Sequence, residues 1–322
     1  MCLRSGAAMA ISSVLTFDEP DQMEAAHAAA RAEVVSTARE RLAWHVTRVE
    51  LDNVWLVHVQ ESGPRIRYVE LDPKRTFLSF LVRPGPEVFM RGVRRLPYSL
   101  IRHAQGQAFY ERTSGPTDWV SLAMPTSEFV AAASALANRD LSAPRDPQVV
   151  IPAPSNMANL LRAQTAVCNL AENSPHLLAE VEVARALKQS LIDATIACLD
   201  DSDTCDEKWA QQTHDTIIRR FRRVLEEHPT RPIYVPEICA AIGVPDRTLR
   251  LCCQEHLAMS PKHYLMRRRM HLVRKALLAA ETETTVTEVA TRFGFWHLGR
   301  FSAGYHAIFG ELPSATLAHR LR

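Results

Sequence analysis

Glu237-Ile238-Cys239-Ala240-Ala241-Ile242-Gly243-Val244 is echoed by Glu288-Val289-Ala290-Thr291-Arg292-Phe293-Gly294-Phe295, with the two glycines 51 residues apart. Each copy sets apolar residues at helical spacing and then stops at glycine, which enters the left-handed conformation without a Cβ clash. The pattern predicts two short helices ending at structural corners, Gly243 and Gly294, with Val244 or Phe295 plugging the angle against a second helix. In the first unit Pro245 and Asp246 suit an opening helical turn, and Leu249 and Cys253 at i, i+4 supply its inward face. Phe301, Tyr305 and Phe309 do the same in the second. One such pair is an ordinary helical hairpin. A duplicated pair with matching corners predicts two helix-turn-helix units.

The surrounding segments also read as helix. Ser260-Pro261 is an N-cap with proline in the first turn, opening a helix through YLMRRRMHLVRKALLAA to about Ala280 that joins the two units. Thr285 to Glu288 has the spacing of a capping box. Upstream, Ala210 to Glu227 combines apolar Ile217, Ile218, Phe221, Val224 and Leu225 with Arg219, Arg220, Arg222 and Arg223, an amphipathic helix with a cationic face. The whole chain carries a net charge of only +2, which hides an asymmetry. Before His214 there are 21 Lys and Arg against 26 Asp and Glu, a balance of −5; from His214 onward there are 17 against 10, a balance of +7. A cationic C-terminal third points to a polyanionic partner.

These residues resemble a known family. Val244-Pro245-x-Arg247-Thr248-Leu249, Ser260-Pro261-x-x-Tyr264-Leu265, Val286 to Ala290 leading into Gly294-Phe295, and Phe309-Gly310-x-x-Pro313-Ser314 are similar to the DNA-binding domain of the AraC/XylS family of bacterial transcription regulators. The likeness covers roughly the last 110 residues. Gly294-Phe295-Trp296-His297-Leu298-Gly299-Arg300-Phe301 is particularly similar to the subgroup that includes the ethanolamine-utilisation regulator.

The resemblance implies an all-α domain whose second helices enter adjacent major grooves about 34 Å apart, a spacing that a connecting helix of about 30 Å can set. It implies double-stranded promoter DNA as partner and RNA polymerase as a second one, with activation as the implied role; the residues alone leave repression open. Carried onto this sequence, the DNA-binding positions are Arg247, Thr248 and Arg250 in the first unit and His297, Leu298, Gly299 and Arg300 in the second. Arg250 suits a bidentate contact to a guanine edge, Leu298 a thymine methyl, and Gly299 a close backbone approach to phosphate. The sequence departs from the family pattern at Leu251-Cys252-Cys253, where polar base readers are fewer. Of Arg267, Arg268 and Arg269, on successive directions of one helix, at most two can face DNA.

The N-terminal half reads differently. From Trp44 to Met124 short runs such as WHVTRVEL, VWLVHVQ, IRYVEL, TFLSFLV and WVSLAM alternate with turn formers, predicting an antiparallel barrel or sandwich. Helical periods follow from Ser127 to Arg139, from Ser155 to Glu172 and from Ser174 to Leu199. The expected fold class is therefore α+β: a weakly ordered segment over 1–40, a β-rich sensor or dimerisation domain with trailing helices over 41–200, a linker over 201–209, and the DNA-binding domain over 210–322. By position and pattern the β-rich part resembles the cupin-like domains of the same family, which implies a small-molecule effector of unknown identity and a homodimer.

The rival readings are a cupin-type metal-dependent enzyme with a helical appendage, and a helical protein-interaction module. His45, His58 and His103 are isolated with no H-x-H pair, and no catalytic set or C-x-x-C motif is legible, so no metal, cofactor or enzymatic activity is expected. A fused methyl-transferring repair protein would need a cysteine cluster that the N-terminal region lacks. Trp55, Arg65, Arg67, Tyr68, Phe80 and Trp119 suit a barrel core better than a pocket. The seven cysteines, an odd number, form no disulfide framework and suit a reducing compartment. With 47% hydrophobic and 23% charged residues and no apolar run long enough to span a bilayer, the expectation is a cytoplasmic, folded protein of about two domains.

Overall fold

Strands of alternating burial between residues 44 and 125 assemble into two facing antiparallel sheets, and both sheets recruit partners from far along the chain. The computed structural model describes residues 10–25, 30–38, 42–137, 140–205, 212–281 and 283–319. The N-terminal part runs β1 (Ala10–Phe17), α1 (Pro20–Ala25), β2 (Ala30–Ser36), β3 (Trp44–Leu51), β4 (Val54–Glu61), β5 (Arg65–Leu71), β6 (Arg75–Leu81), β7 (Val88–Met90), β8 (Val93–Arg94), β9 (Leu100–Arg102), β10 (Ala108–Thr113) and β11 (Thr117–Pro125). There follow α2 (Thr126–Leu136), β12 (Gln148–Pro152), α3 (Pro154–Asn173), α4 (Pro175–Leu178), α5 (Val181–Asp200) and β13 (Ser202–Cys205). The C-terminal part is helical: α6 (Gln212–Glu227), α7 (Val235–Ile242), α8 (Asp246–Leu257), α9 (Pro261–Leu278), α10 (Val286–Arg292), α11 (Leu298–Phe309) and α12 (Pro313–His319).

The larger sheet has the order β1-β3-β4-β11-β6-β9-β12-β13, and the smaller β2-β5-β10-β7-β8. Their facing sides bury Val34, Trp44, Val46, Val59 and Trp119 at one end and Val69, Phe77, Ile101 and Phe109 at the other. The outer face of the larger sheet packs Leu56, Leu78, Val120 and Leu122 against Phe129 of α2, Leu160 and Val167 of α3 and Ile192 and Ile196 of α5. The outer face of the smaller sheet packs Val35, Ile66, Tyr68 and Tyr110 against Ile217 and Phe221 of α6, Leu249 of α8 and Tyr264 of α9. At about 1.5–3 kcal/mol for each large apolar side chain removed from water, this last contact makes the two halves share one core. It also explains why β5 is buried on both faces.

Three boundaries differ from those read in the sequence. Within 1–40, residues 10–17 form β1 against β3 in register Ala10↔Leu51, and residues 30–36 form β2 against β5; residues 1–9 lie outside the described residues. Pairing partners 20 or more residues away, invisible to local periodicity, turn this alanine-rich stretch into strands. The linker begins as strand too: β13 pairs with β12, Pro152↔Ser202, and residues 206–209 lie outside the described residues. The helix expected from Ser174 is broken into α4 and α5 at Ala179 and Glu180. Together with α2 and α3, these helices provide the trailing helical layer over the β-rich domain.

Candidate nucleic-acid interface

Each repeat folds as its glycine dictates. Gly243 ends α7 at φ +72°, its N–H and that of Val244 both donating to the Cys239 carbonyl at 2.9 and 3.1 Å. Gly294 sits at φ +77°, donating to Thr291 O at 2.9 Å, while the Phe295 N–H reaches back to Ala290 O at 2.9 Å. These bonds satisfy carbonyls that a helix end leaves unpaired. Thr285 and Glu288 form the reciprocal capping box, and Ser260 Oγ accepts from the His263 N–H at 3.3 Å to open α9. At 18 residues, α9 is about 27 Å long and links the two units.

The second helix of each unit is two-faced. In α8, Leu249, Cys252 and Cys253 are fully buried; burial pushes both thiols up, so they are protonated core residues. Arg247, Arg250, Leu251 and Gln254 occupy the opposite, exposed face, and Thr248 is half-buried with its N–H donating to the Pro245 carbonyl at 3.0 Å. Arg250 is not a free reader: its Nε and one terminal nitrogen both lie 2.8 Å from the Asp246 carboxylate. In α11, Phe301, Tyr305 and Phe309 turn inward. His297 takes the N-cap position without capping by its side chain, and Leu298, Gly299 and Arg300 are exposed. A Cβ at Gly299 would meet nothing within 4 Å, leaving its backbone open to close approach. Trp296, just before the helix, is 72% exposed.

Leu251 was legible only as a departure from a family pattern; its exposure, 55%, comes from its place at i, i+4 from Arg247 on the outward face. The cationic surface is smaller than the charge arithmetic suggests. Arg268 forms a double hydrogen bond with Glu33, Arg267 donates to Ser36 O at 3.0 Å, and Arg269 stacks 5.0 Å from the Phe295 ring centroid. Arg268 is buried, and Arg267 and Arg269 are half-buried. The face of α6 expected to be cationic is likewise divided: Arg222 is buried against Glu33 and Glu226, Arg219 pairs with Asp215, and Arg220 and Arg223 are exposed.

Among the described residues no group of three or more His, Cys, Asp or Glu is placed to hold a metal ion, and no helix is long and apolar enough to cross a membrane. His58 is engaged by Asp118 at 2.6 Å, and His103 by Ser79 at 2.9 Å. His45 lies beside Glu172 at 3.9 Å.

Residues 238–319 match a family model described as a helix-turn-helix domain. The chain is 38% identical over 102 residues to the "Probable thc operon regulatory protein" of Rhodococcus erythropolis, covering 31% of each chain. It is 36% identical over 107 residues to the XylDLEGF operon transcriptional activator 2 of Pseudomonas putida, covering 32% of this chain and 68% of that one. The chain thus spans about a third of the first relative's length and two thirds of the second's. Among solved structures, the AraC-like transcriptional activator CuxR aligns over 87% of this chain and 100% of its own at 14% identity and a TM-score of 0.40.

Proposed function

The chain belongs to the AraC/XylS family of transcription regulators, and from that premise we propose that its paired corner-turned helices bind a promoter in adjacent major grooves. In this reading α8 discriminates bases through Arg247, Thr248 and Arg250. His297, Leu298, Gly299 and Arg300 at the start of α11 chiefly hold the duplex in place. The observation that carries it is the contrast in engagement: Arg267, Arg268, Arg269 and Arg222 are taken up by the protein, whereas Arg247 and Arg300 stand exposed at the N-terminal ends of α8 and α11.

The β-rich part, residues 41–200 as read in the sequence together with β1 and β2, serves in this proposal as a sensor and dimerisation domain. A small molecule bound between its sheets shifts the affinity of the helical domain for DNA, and a homodimer presents two such domains to one promoter in the cytoplasm. Contact with RNA polymerase makes the protein an activator, and no catalytic step is assigned to it. The likeness of Gly294 to Phe301 to the ethanolamine-utilisation regulators supports a place in that subgroup.

Selection of bound duplexes from a random pool by the full chain tests the proposal. Recovery of one sequence motif is expected, with log K falling steeply against log salt as counterions are released. Arg250→Ala should lose preference at particular base pairs, about 1–3 kcal/mol each, while Arg300→Ala should weaken all sequences alike. Equal weakening in both variants would sink the assignment of α8 as reader.

A further inference from the structure

Three residues that no sequence motif connects meet beneath α3. His58 of β4 lies two residues from Leu56 and Asp118 of β11 two residues from Val120, so both share the outer face of the larger sheet with those core residues. Nε2 of His58 and one carboxylate oxygen of Asp118 are 2.6 Å apart, and Arg83 holds the other oxygen at 3.2 Å. The same imidazole hydrogen-bonds the sulfur of Cys168, a residue of α3 in the core beneath that helix. The Cys168 sulfur also accepts from the Gln164 amide at 3.3 Å. A nucleophile, a base within hydrogen-bond reach of it, and an acid that orients the base form the arrangement that activates a thiol.

Burial pushes the His58 imidazole down, but its bonds to Asp118 and to Cys168 outweigh burial and bring it from 6.5 up to about 9. His58 is therefore an imidazolium at neutral pH. The thiolate is the nucleophilic form of a cysteine, and an adjacent imidazolium is a partner that favours it. Elsewhere among the described residues the surroundings keep thiols protonated. Burial pushes Cys198 up to about 12, Cys252 up to about 11 and Cys253 higher still, and burial and then Asp246 push Cys239 up.

We propose that Cys168 is a modification site for small hydroperoxides, which oxidise it to the sulfenic acid with His58 as proton donor. The thiolate attacks one peroxide oxygen, and the S–O bond forms as the O–O bond breaks. Sulfur gives up two electrons, and the departing oxygen takes the His58 proton; with hydrogen peroxide it leaves as water. Asp118 holds the imidazole in place for that transfer. Burial sets the size of the reagent: Cys168 is 4% exposed and the His58 side chain 11%, which suits a molecule little larger than water and turns away bulky disulfides. A cavity of about 230 Å³ walled by Gln60, Arg83 and Thr117 borders the cluster at Asp118.

The oxidised sulfur finds no second thiol in Cys198, the other buried cysteine of the same core. Asn156 donates to the Ala197 carbonyl at 3.1 Å, so the start of α3 lies against the end of α5. Cys198 therefore sits about 18 Å along the helix from Cys168, too far for a disulfide.

The test treats the full chain with hydrogen peroxide, traps sulfenic acid with dimedone and reads each cysteine by peptide mass spectrometry. Cys168 should be labelled about tenfold faster than the half-buried Cys239. That comparison needs no variant, so it stands even if a substitution disturbs folding. In His58→Gln, the peroxide rate at Cys168 should fall about tenfold or more, and its methylation by iodomethane should fall less, because iodide leaves without a proton. Asp118→Asn should slow the peroxide reaction in the same sense. Labelling of Cys168 no faster than Cys239, or a His58→Gln chain with an unchanged melting temperature whose two rates fall equally or not at all, overturns the proposal.

Discussion

Glu33 of β2 holds Arg268 of α9 through two hydrogen bonds of 2.7 and 3.0 Å, across 235 residues of chain, and the same carboxylate takes Arg222 of α6 at 2.8 Å. Arg274 with Glu19 and Lys275 with Glu24 repeat the pattern around it, while Arg91 with Asp215 reverses it, the base lying in the N-terminal part and the acid on α6. Oppositely charged residues of the two parts thus neutralise one another at a common junction.

Glu33 makes that junction sensitive to acid. Burial pushes its carboxyl up, but Arg268 and then Arg222 outweigh burial and bring it from 4.5 down to about 2. A depressed carboxyl contributes stability that is fully present above the unfolded value and is lost as pH falls toward the folded one. Stability should therefore decline between about pH 4.5 and pH 2, and Glu33→Gln should remove about 3 kcal/mol at neutral pH while flattening that decline. Chemical denaturation as a function of pH checks it; a mutant with the wild-type acid limb would show that Glu33 carries none of the dependence.

The two corner glycines should differ in their tolerance of alanine. At Gly243 an added Cβ meets nothing within 4 Å, so only the left-handed backbone opposes it, about 1 kcal/mol. At Gly294 the Cβ would lie 2.6 Å from Cγ of Pro232, and strain adds to a clash with a rigid ring. Denaturant titration should find Gly294→Ala clearly the more destabilising; equal losses would mean the Pro232 loop moves aside freely.

Asp246 restrains the side chain assigned to base reading. With Asp246 bound along one edge of Arg250, a single edge of the guanidinium remains for a guanine. Asp246→Ala should bind non-selected duplexes more tightly, having lost a negative charge near phosphate, and should discriminate less at the base read by Arg250. Unchanged discrimination in competition binding would show that the ion pair has no part in readout.

Trp296 is 72% exposed, so truncating it should change folding stability by no more than about 0.5 kcal/mol. Its indole has an apolar surface to bury against the duplex. Trp296→Ala should accordingly lower DNA affinity with little change in the salt slope, since no cation is lost. A steep change in that slope, or a loss of melting temperature, would contradict this placement.

Local geometry determined the C-terminal reading from sequence alone. A glycine after a short apolar helix, a serine before proline and a Thr-x-x-Glu box act within one turn of backbone. Gly243, Ser260, Thr285 and Gly294 accordingly sit where their residue types require. The exposure of Arg247, Arg250 and Arg300 follows from the same helical period. Tertiary structure decided what depends on distant partners. Residues 10–17 and 30–36 become strands only because β3 and β5 offer them open edges, and β5 is buried on both sides only because α6 and α9 cover it. Ion pairing depends on three-dimensional distance rather than sequence separation. For that reason Arg222, Arg268 and Arg274, counted as a signal for a polyanion, are spent on Glu19 and Glu33.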